Sequence, residues 1–504
     1  MTESRTKNSI KNMSTGAIVQ IINKIMAFIV RTVFIKMLNT EYLGVNGLYT
    51  NILTMLSFAE LGIGTAIIFN MYKPVAENDQ NKIKALMDLY KKAYNIIGIT
   101  VFILGLCVIP FMGIIVKDAP DIKENLIFIY ILFLINTSSS YFFSYKKAII
   151  SAHQKQSIIN NIDSIFYFIR SIIEILILVI TKNYIFFLIA QIICTLLENI
   201  LISIKANKMY PYLKEKSKEK ISKEETNNIF SNVKSLVIYK FGSVIMNGTD
   251  NVLISSLINV GTVGLCSNYS LVISAIHSII SSSINGITAS IGNLNVKGTS
   301  KKKEDIFYQL TFINYVIFSF CTIAFIVLLN PFIELWIGKK NVLSIGVPIS
   351  LAISFLIEGL RNPGYIYRTT LGLFQKGKFT PYIGAITNIF LSILLCKYIG
   401  VTGIFVATSI SQLVSYSWID PYLIHKYEFK TPVRKYFIKY IKYILIFTIN
   451  LLITLYIVNL INIKGLISFI LKIIIVSIIP NIINYLLLRN TIEFKELKSK
   501  LFKR

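Results

Sequence analysis

Apolar residues run in long blocks along this chain, and short polar stretches separate them. Fourteen blocks are long enough to cross a hydrocarbon layer of about 30 Å, which takes roughly 20 residues of helix. They are Met13–Lys36, Leu43–Met71, Tyr94–Val116, Leu126–Tyr145, Ile158–Ile180, Tyr184–Ile204, Phe230–Ile258, Val263–Ile291, Ile306–Leu329, Val347–Leu371, Tyr382–Tyr398, Gly403–Ile424, Tyr443–Leu460 and Leu466–Leu488. A segment in lipid must satisfy its own backbone hydrogen bonds, so each block is expected to be an α-helix. The pattern predicts an all-α membrane protein of 14 transmembrane helices with little soluble structure of its own.

The polar stretches alternate in charge. Those after even-numbered helices are basic: Lys82, Lys84, Lys91 and Lys92; then Lys146, Lys147 and Lys155; the run Lys205–Lys223; Lys301–Lys303; Lys376 and Lys378; and Lys426–Lys439. Those after odd-numbered helices are short and sparsely charged, with Lys339 and Lys340 the main exception. Basic loops stay on the cytoplasmic side, so both termini are expected in the cytoplasm.

Composition sharpens this picture at three points. Of 504 residues 54% are hydrophobic and only 15% charged, against about 25% charged in soluble domains. The net charge of +27 sits in loops rather than on a folded basic face, so it implies orientation and attraction to anionic lipids, not a nucleic-acid partner. Cys107, Cys194, Cys266, Cys321 and Cys396 all lie in apolar segments without close spacing, and the three histidines are scattered. No metal site, disulfide or cofactor is expected.

The longest hydrophilic stretch, 205–228, divides the chain after six helices. Tyr42-Leu43-Gly44-Val45, with Tyr49 following, opens the second helix. Thr262-Val263-Gly264-Leu265, with Tyr269 following, opens the eighth, 220 residues on. A third such turn, Val401-Thr402-Gly403-Ile404, opens the twelfth. Glycine at these points permits a tight turn and close helix approach. The expected organisation is an N-lobe over 1–204, a basic cytoplasmic linker over 205–228, a C-lobe over 229–430, and two added helices with a basic tail over 431–504.

Three segments carry a family resemblance: Leu38–Met71 around the second helix, Leu335-Trp336-Ile337-Gly338 after the ninth, and Asn388–Thr408 at the turn between the eleventh and twelfth. In this order on fourteen helices they resemble the polysaccharide transporters (Wzx-type flippases) of the multidrug/oligosaccharidyl-lipid/polysaccharide exporter superfamily. The resemblance implies a MATE-like V-shaped fold of two six-helix lobes and rocker-switch alternating access. It also implies flipping of a polyprenyl-diphosphate-linked oligosaccharide to the outer leaflet of a bacterial cell membrane for capsule or surface polysaccharide assembly. The protein is expected to act as a monomer alongside a polysaccharide polymerase and other assembly proteins.

Charge within a membrane helix costs roughly 2.5–3.5 kcal/mol per residue, so its positions point to function. Lys24, Arg31, Arg170, Lys240, Arg361 and Arg368 lie inside helices and are expected to line a cationic cavity for the diphosphate, where guanidinium offers a bidentate fork. Arg361 and Arg368, seven apart, share a helix face. Asp163, Glu174, Glu358, Glu60, Asp250 and His277 are candidates for gating or proton coupling, with Arg170–Glu174 and Glu358–Arg361 spaced to pair along one helix. Asn136–Ser140 and Ser281–Ser283 offer hydroxyls and amides either to sugars or to helix packing. Two other readings stay open. A drug/cation antiporter of the same superfamily would favour acids over cations. A membrane polymerase or ligase would carry a large external loop, which this chain lacks, so no enzymatic activity is expected.

Overall fold

In the computed structural model the described residues are 2–502, except Leu61, Gly62, Ala119, 216–220, Asn462 and Lys464; the side chains of 1–19, 58–59, 63, 65–66, 214, 223, 225, 228–239, 247, 283–286, 289–290, 293, 296–297, 374–375 and 500–502 are not among them, so Ser283 lies outside the described side chains. Residues 216–220 fall in the expected linker, so that part of it lies outside the described residues. Secondary structure among the described residues is helical throughout. Two compact units divide between Gly264 and Leu265.

The first unit holds α1 (Thr2–Met37), α2 (Thr40–Leu56), α3 (Ile63–Ala76), α4 (Gln80–Val108), α5 (Met112–Ile115), α6 (Leu126–Ser144), α7 (Lys147–Ala152), α8 (Gln156–Thr181), α9 (Tyr184–Met209) and α10 (Lys223–Leu257). α11 (Val260–Lys297) begins at its end. The second unit continues with α12 (Ser300–Ile337), α13 (Gly346–Thr370), α14 (Thr380–Ile399), α15 (Val401–Val414), α16 (Tyr416–Ile424), α17 (Arg434–Asn459), α18 (Leu466–Leu488) and α19 (Ile492–Phe502).

Helix occupies every stretch expected to span. Among the described residues, nine helices are long and apolar enough to cross a membrane by length and composition. Three expected spans are interrupted; the third passes from α4 through a 3-10 turn, Ile109–Phe111, into α5. The second gives way after Leu56 to a 3-10 turn, Ser57–Glu60, before α3 resumes at Ile63. The twelfth is interrupted at Ser415 between α15 and α16. Within the first unit α10 packs with α2, α3 and α5.

Glycine sets the closest backbone contacts. A Cβ on Gly44 would sit 2.0 Å from the carbonyl oxygen of Val260, and one on Gly264 would sit 2.0 Å from that of Thr40 and 2.9 Å from the amide nitrogen of Gly44. The two repeat-related glycines meet backbone to backbone. A Cβ on the third such glycine, Gly403, would meet the backbone of Leu395 at 2.4 Å. The copies match in detail. Asn39 caps α2 through the amides of Glu41 and Tyr42, and Asn259 accepts from the amide of Thr262 at 2.8 Å, as helix N-termini require. Tyr49, fully buried, donates to the carbonyl of Leu126 at 3.1 Å, at the start of α6. Tyr269, also fully buried, accepts from the amide of Leu343 at 2.9 Å, just before α13.

Candidate functional site

In the first unit Asn46, Thr50 and Thr54 of α2, with Ser57 opening the 3-10 turn after it, form a polar stripe along one face. They line a cavity of about 420 Å³. Facing them are Asn136 and Thr137 of α6, Arg170 of α8 and Gln191 of α9, while the 3-10 turn brings Glu60 into the wall. Phe133 contributes a ring. An interrupted helix is tolerated at membrane depth where it lines a cavity, and this one does.

The charges in this chamber are engaged. Arg170 Nε lies 3.6 Å from Glu174 Oε1, the pair expected from their spacing, and its guanidinium sits 5.3 Å from the Tyr167 ring centroid. Gln191 Nε2 donates to Glu174 Oε1 at 3.3 Å. Glu60, which has no partner nearby in sequence, accepts from the Tyr94 hydroxyl at 2.8 Å. Lys240 on α10 lies within electrostatic range of Glu60, and Arg31 on α1 within that of Tyr167. Lys24, on α1, is half-buried. Of the six expected cavity cations, Arg170 alone is in the chamber lining among the described residues. Asp250 is also outside that lining.

Asp163, on α8 with Arg170, is engaged from another helix. Its partner is Lys147 on α7, at 3.2 Å, and Glu198 on α9 holds the same ammonium at 3.2 Å. Sequence reading took Lys147 for a loop cation and gave Glu198 no role.

In the second unit α13 carries Glu358, Arg361 and Arg368. The shared face of the two arginines is real, and its partner is Asp420 of α16. Arg361 Nε lies 3.7 Å from Asp420 Oδ2, and Arg368 lies 2.7 Å from Asp420 Oδ1. The side chains of Arg368 and Asp420 have 0% exposure. Arg368 is therefore corrected from a cavity cation to one half of an interior ion pair, because no surface of it is left to face a cavity. Arg361 retains some exposure and lies over the Tyr416 ring at 3.6 Å, in cation–π range. Glu358 takes His277 as its near partner, at 3.5 Å, instead of Arg361 and is 52% exposed. Asp420 was missed in sequence; its signal is an acid in an apolar helix, directly before Pro421.

The described residues thus hold nine helices long and apolar enough to cross a membrane and, in the first unit, a polar chamber. Solved structures share this fold. The lipid II flippase MurJ in an inward closed conformation matches at TM-score 0.66 and 16% identity, over 94% of this chain and 99% of that one. A MATE family multidrug resistance transporter of the MOP superfamily in an inward-facing conformation matches at 0.61 and 13%, over 80% and 97%. An outward-facing conformation of such a transporter matches at 0.52 and 14%, over 82% and 94%. No curated protein matches by sequence. The family model described as "Polysaccharide biosynthesis protein" matches residues 9–288, a little over half of the chain. The chain belongs to that family and has the fold seen in the flippase and transporter structures above.

Proposed function

We propose that this protein is a flippase that carries a polyprenyl-diphosphate-linked oligosaccharide from the inner to the outer leaflet of a bacterial cell membrane, by alternating access, for capsule or other surface polysaccharide assembly. The observation that carries this reading is the hydroxyl- and amide-lined chamber of about 420 Å³ among apolar helices, in a chain of the polysaccharide biosynthesis family. Polar side chains in lipid-spanning helices are costly, and such a chamber suits a polar headgroup that must leave water. The family favours a saccharide cargo over the drugs of an antiporter. Arg361 is the group in the second unit proposed to meet the diphosphate. Two guanidiniums share one carboxylate there, and Arg361 is the exposed one of the two.

Arg361→Gln is the variant that tests this, because it leaves Arg368 and Asp420 paired one to one. Surface polysaccharide is expected to fall by at least about tenfold, equivalent to ~1.4 kcal/mol, at an unchanged level of protein in the membrane. Cells lacking the whole protein should make none at the surface while lipid-linked oligosaccharide accumulates inside. Normal surface polysaccharide in those cells would refute the transport reading.

A further inference from the structure

The chamber of the first unit differs in chemistry from a phosphate site. Its two charged lining residues, Arg170 and Glu60, are of opposite sign. The guanidinium lies against the buried carboxylate of Glu174, and Glu60 is held by the Tyr94 hydroxyl. A diphosphate carried into it would meet no net positive charge among the described residues, because Arg170 and the nearby Lys240 are balanced by Glu60 and Glu174, whereas Arg361 and Arg368 share a single carboxylate. The rest of the lining is what saccharide hydroxyls can use: amides that donate and accept together, hydroxyls that do the same, and an aromatic ring. The α2 stripe supplies such groups one turn apart, at Asn46, Thr50 and Thr54. Asn136 Oδ1 in the opposite wall is buried without a protein hydrogen-bond partner, and a buried acceptor left unsatisfied is costly unless a ligand supplies the donor.

We infer that this chamber is a saccharide subsite for a neutral or amino-bearing glycan, separate from the group that meets the diphosphate. The inference rests on the flippase reading and divides its substrate between two chemistries. The sugar is bound by uncharged hydrogen-bonding groups of α2, α6 and α9, and the diphosphate by cations outside this chamber.

The test uses full-length protein in inside-out membrane vesicles, with the five native cysteines replaced by alanine and one reporter cysteine. Thr54→Cys reports on the chamber, and Tyr365→Cys on the neighbourhood of Arg361, whose guanidinium lies 5.7 Å from the Tyr365 ring centroid. The probes are bare undecaprenyl diphosphate and the lipid-linked oligosaccharide fraction extracted from the producing cells. The oligosaccharide fraction is expected to slow maleimide labelling of Thr54→Cys by about tenfold at tenfold excess over its Kd. Bare undecaprenyl diphosphate should leave Thr54→Cys unprotected while protecting Tyr365→Cys. Adding Asn136→Leu should abolish protection at Thr54→Cys and spare it at Tyr365→Cys. Equal protection of Thr54→Cys by both probes would overturn the saccharide assignment. So would protection by the oligosaccharide fraction at Tyr365→Cys alone, and in both cases the flippase reading would stand. Protection at neither position would refute the flippase reading itself.

Discussion

Gly44→Ala and Gly264→Ala are each expected to lower the stability of the membrane-inserted protein by about 1–3 kcal/mol, the range for forcing an extra carbon into packed structure. The added Cβ would lie 2.0 Å from the main-chain oxygen of Val260 in one case and of Thr40 in the other. Neither oxygen belongs to a side chain that can rotate away, so the first turns of α2 and α11 must separate. Both substitutions act on one crossing, and the double variant should therefore cost markedly less than the sum of the two. Gly113→Ala is the control, since nothing lies within 4 Å of its Cβ position. Thermal unfolding of purified protein in detergent measures all four. An unfolding midpoint for Gly44→Ala equal to that of Gly113→Ala would show that the crossing is not tight in the folded protein.

Asp420→Ala should have a larger effect still. Arg368 and Asp420 have no exposed side-chain surface and lie 2.7 Å apart, with Arg361 on the other carboxylate oxygen. Removing the carboxylate leaves a guanidinium buried beside a second one, and breaking a buried pair from one side costs about 3–5 kcal/mol. The protein is expected to fail to accumulate in the membrane. Asp420→Asn/Arg368→Met, which removes both charges, should restore accumulation even where export is impaired. Immunoblotting of membrane fractions decides the matter. Wild-type levels of Asp420→Ala would mean the pair contributes nothing to the fold, and failure of the double variant would mean that packing, not charge, is the cause.

The contrast between these two sites shows what the sequence could disclose. Helix-length apolar blocks are set by bilayer thickness, a constraint written residue by residue, and helix duly occupies each of them. The seven-residue spacing of Arg361 and Arg368 gave their common face for the same local reason. It could not give Asp420, because spacing along one helix says nothing about which helix packs opposite. Glu60 and Tyr94, 34 positions apart, and Lys147 with Glu198, 51 apart, are cases of the same kind. The 3-10 turn at Ser57–Glu60 was hidden by its own composition, since the residues around it read as one apolar run. The charge of the expected linker likewise says nothing of where backbones touch, at Gly44 with Val260 and at Gly264 with Thr40.

That contact has a further consequence for how the chain can change. At an ordinary helix crossing a bulkier residue on one side is rescued by trimming the other. Here the opposing atoms are peptide oxygens, common to all twenty amino acids, so no second-site replacement at Val260 or Thr40 can make room. A lesion at either glycine has only reversion, or a shift of the whole helix, as a remedy.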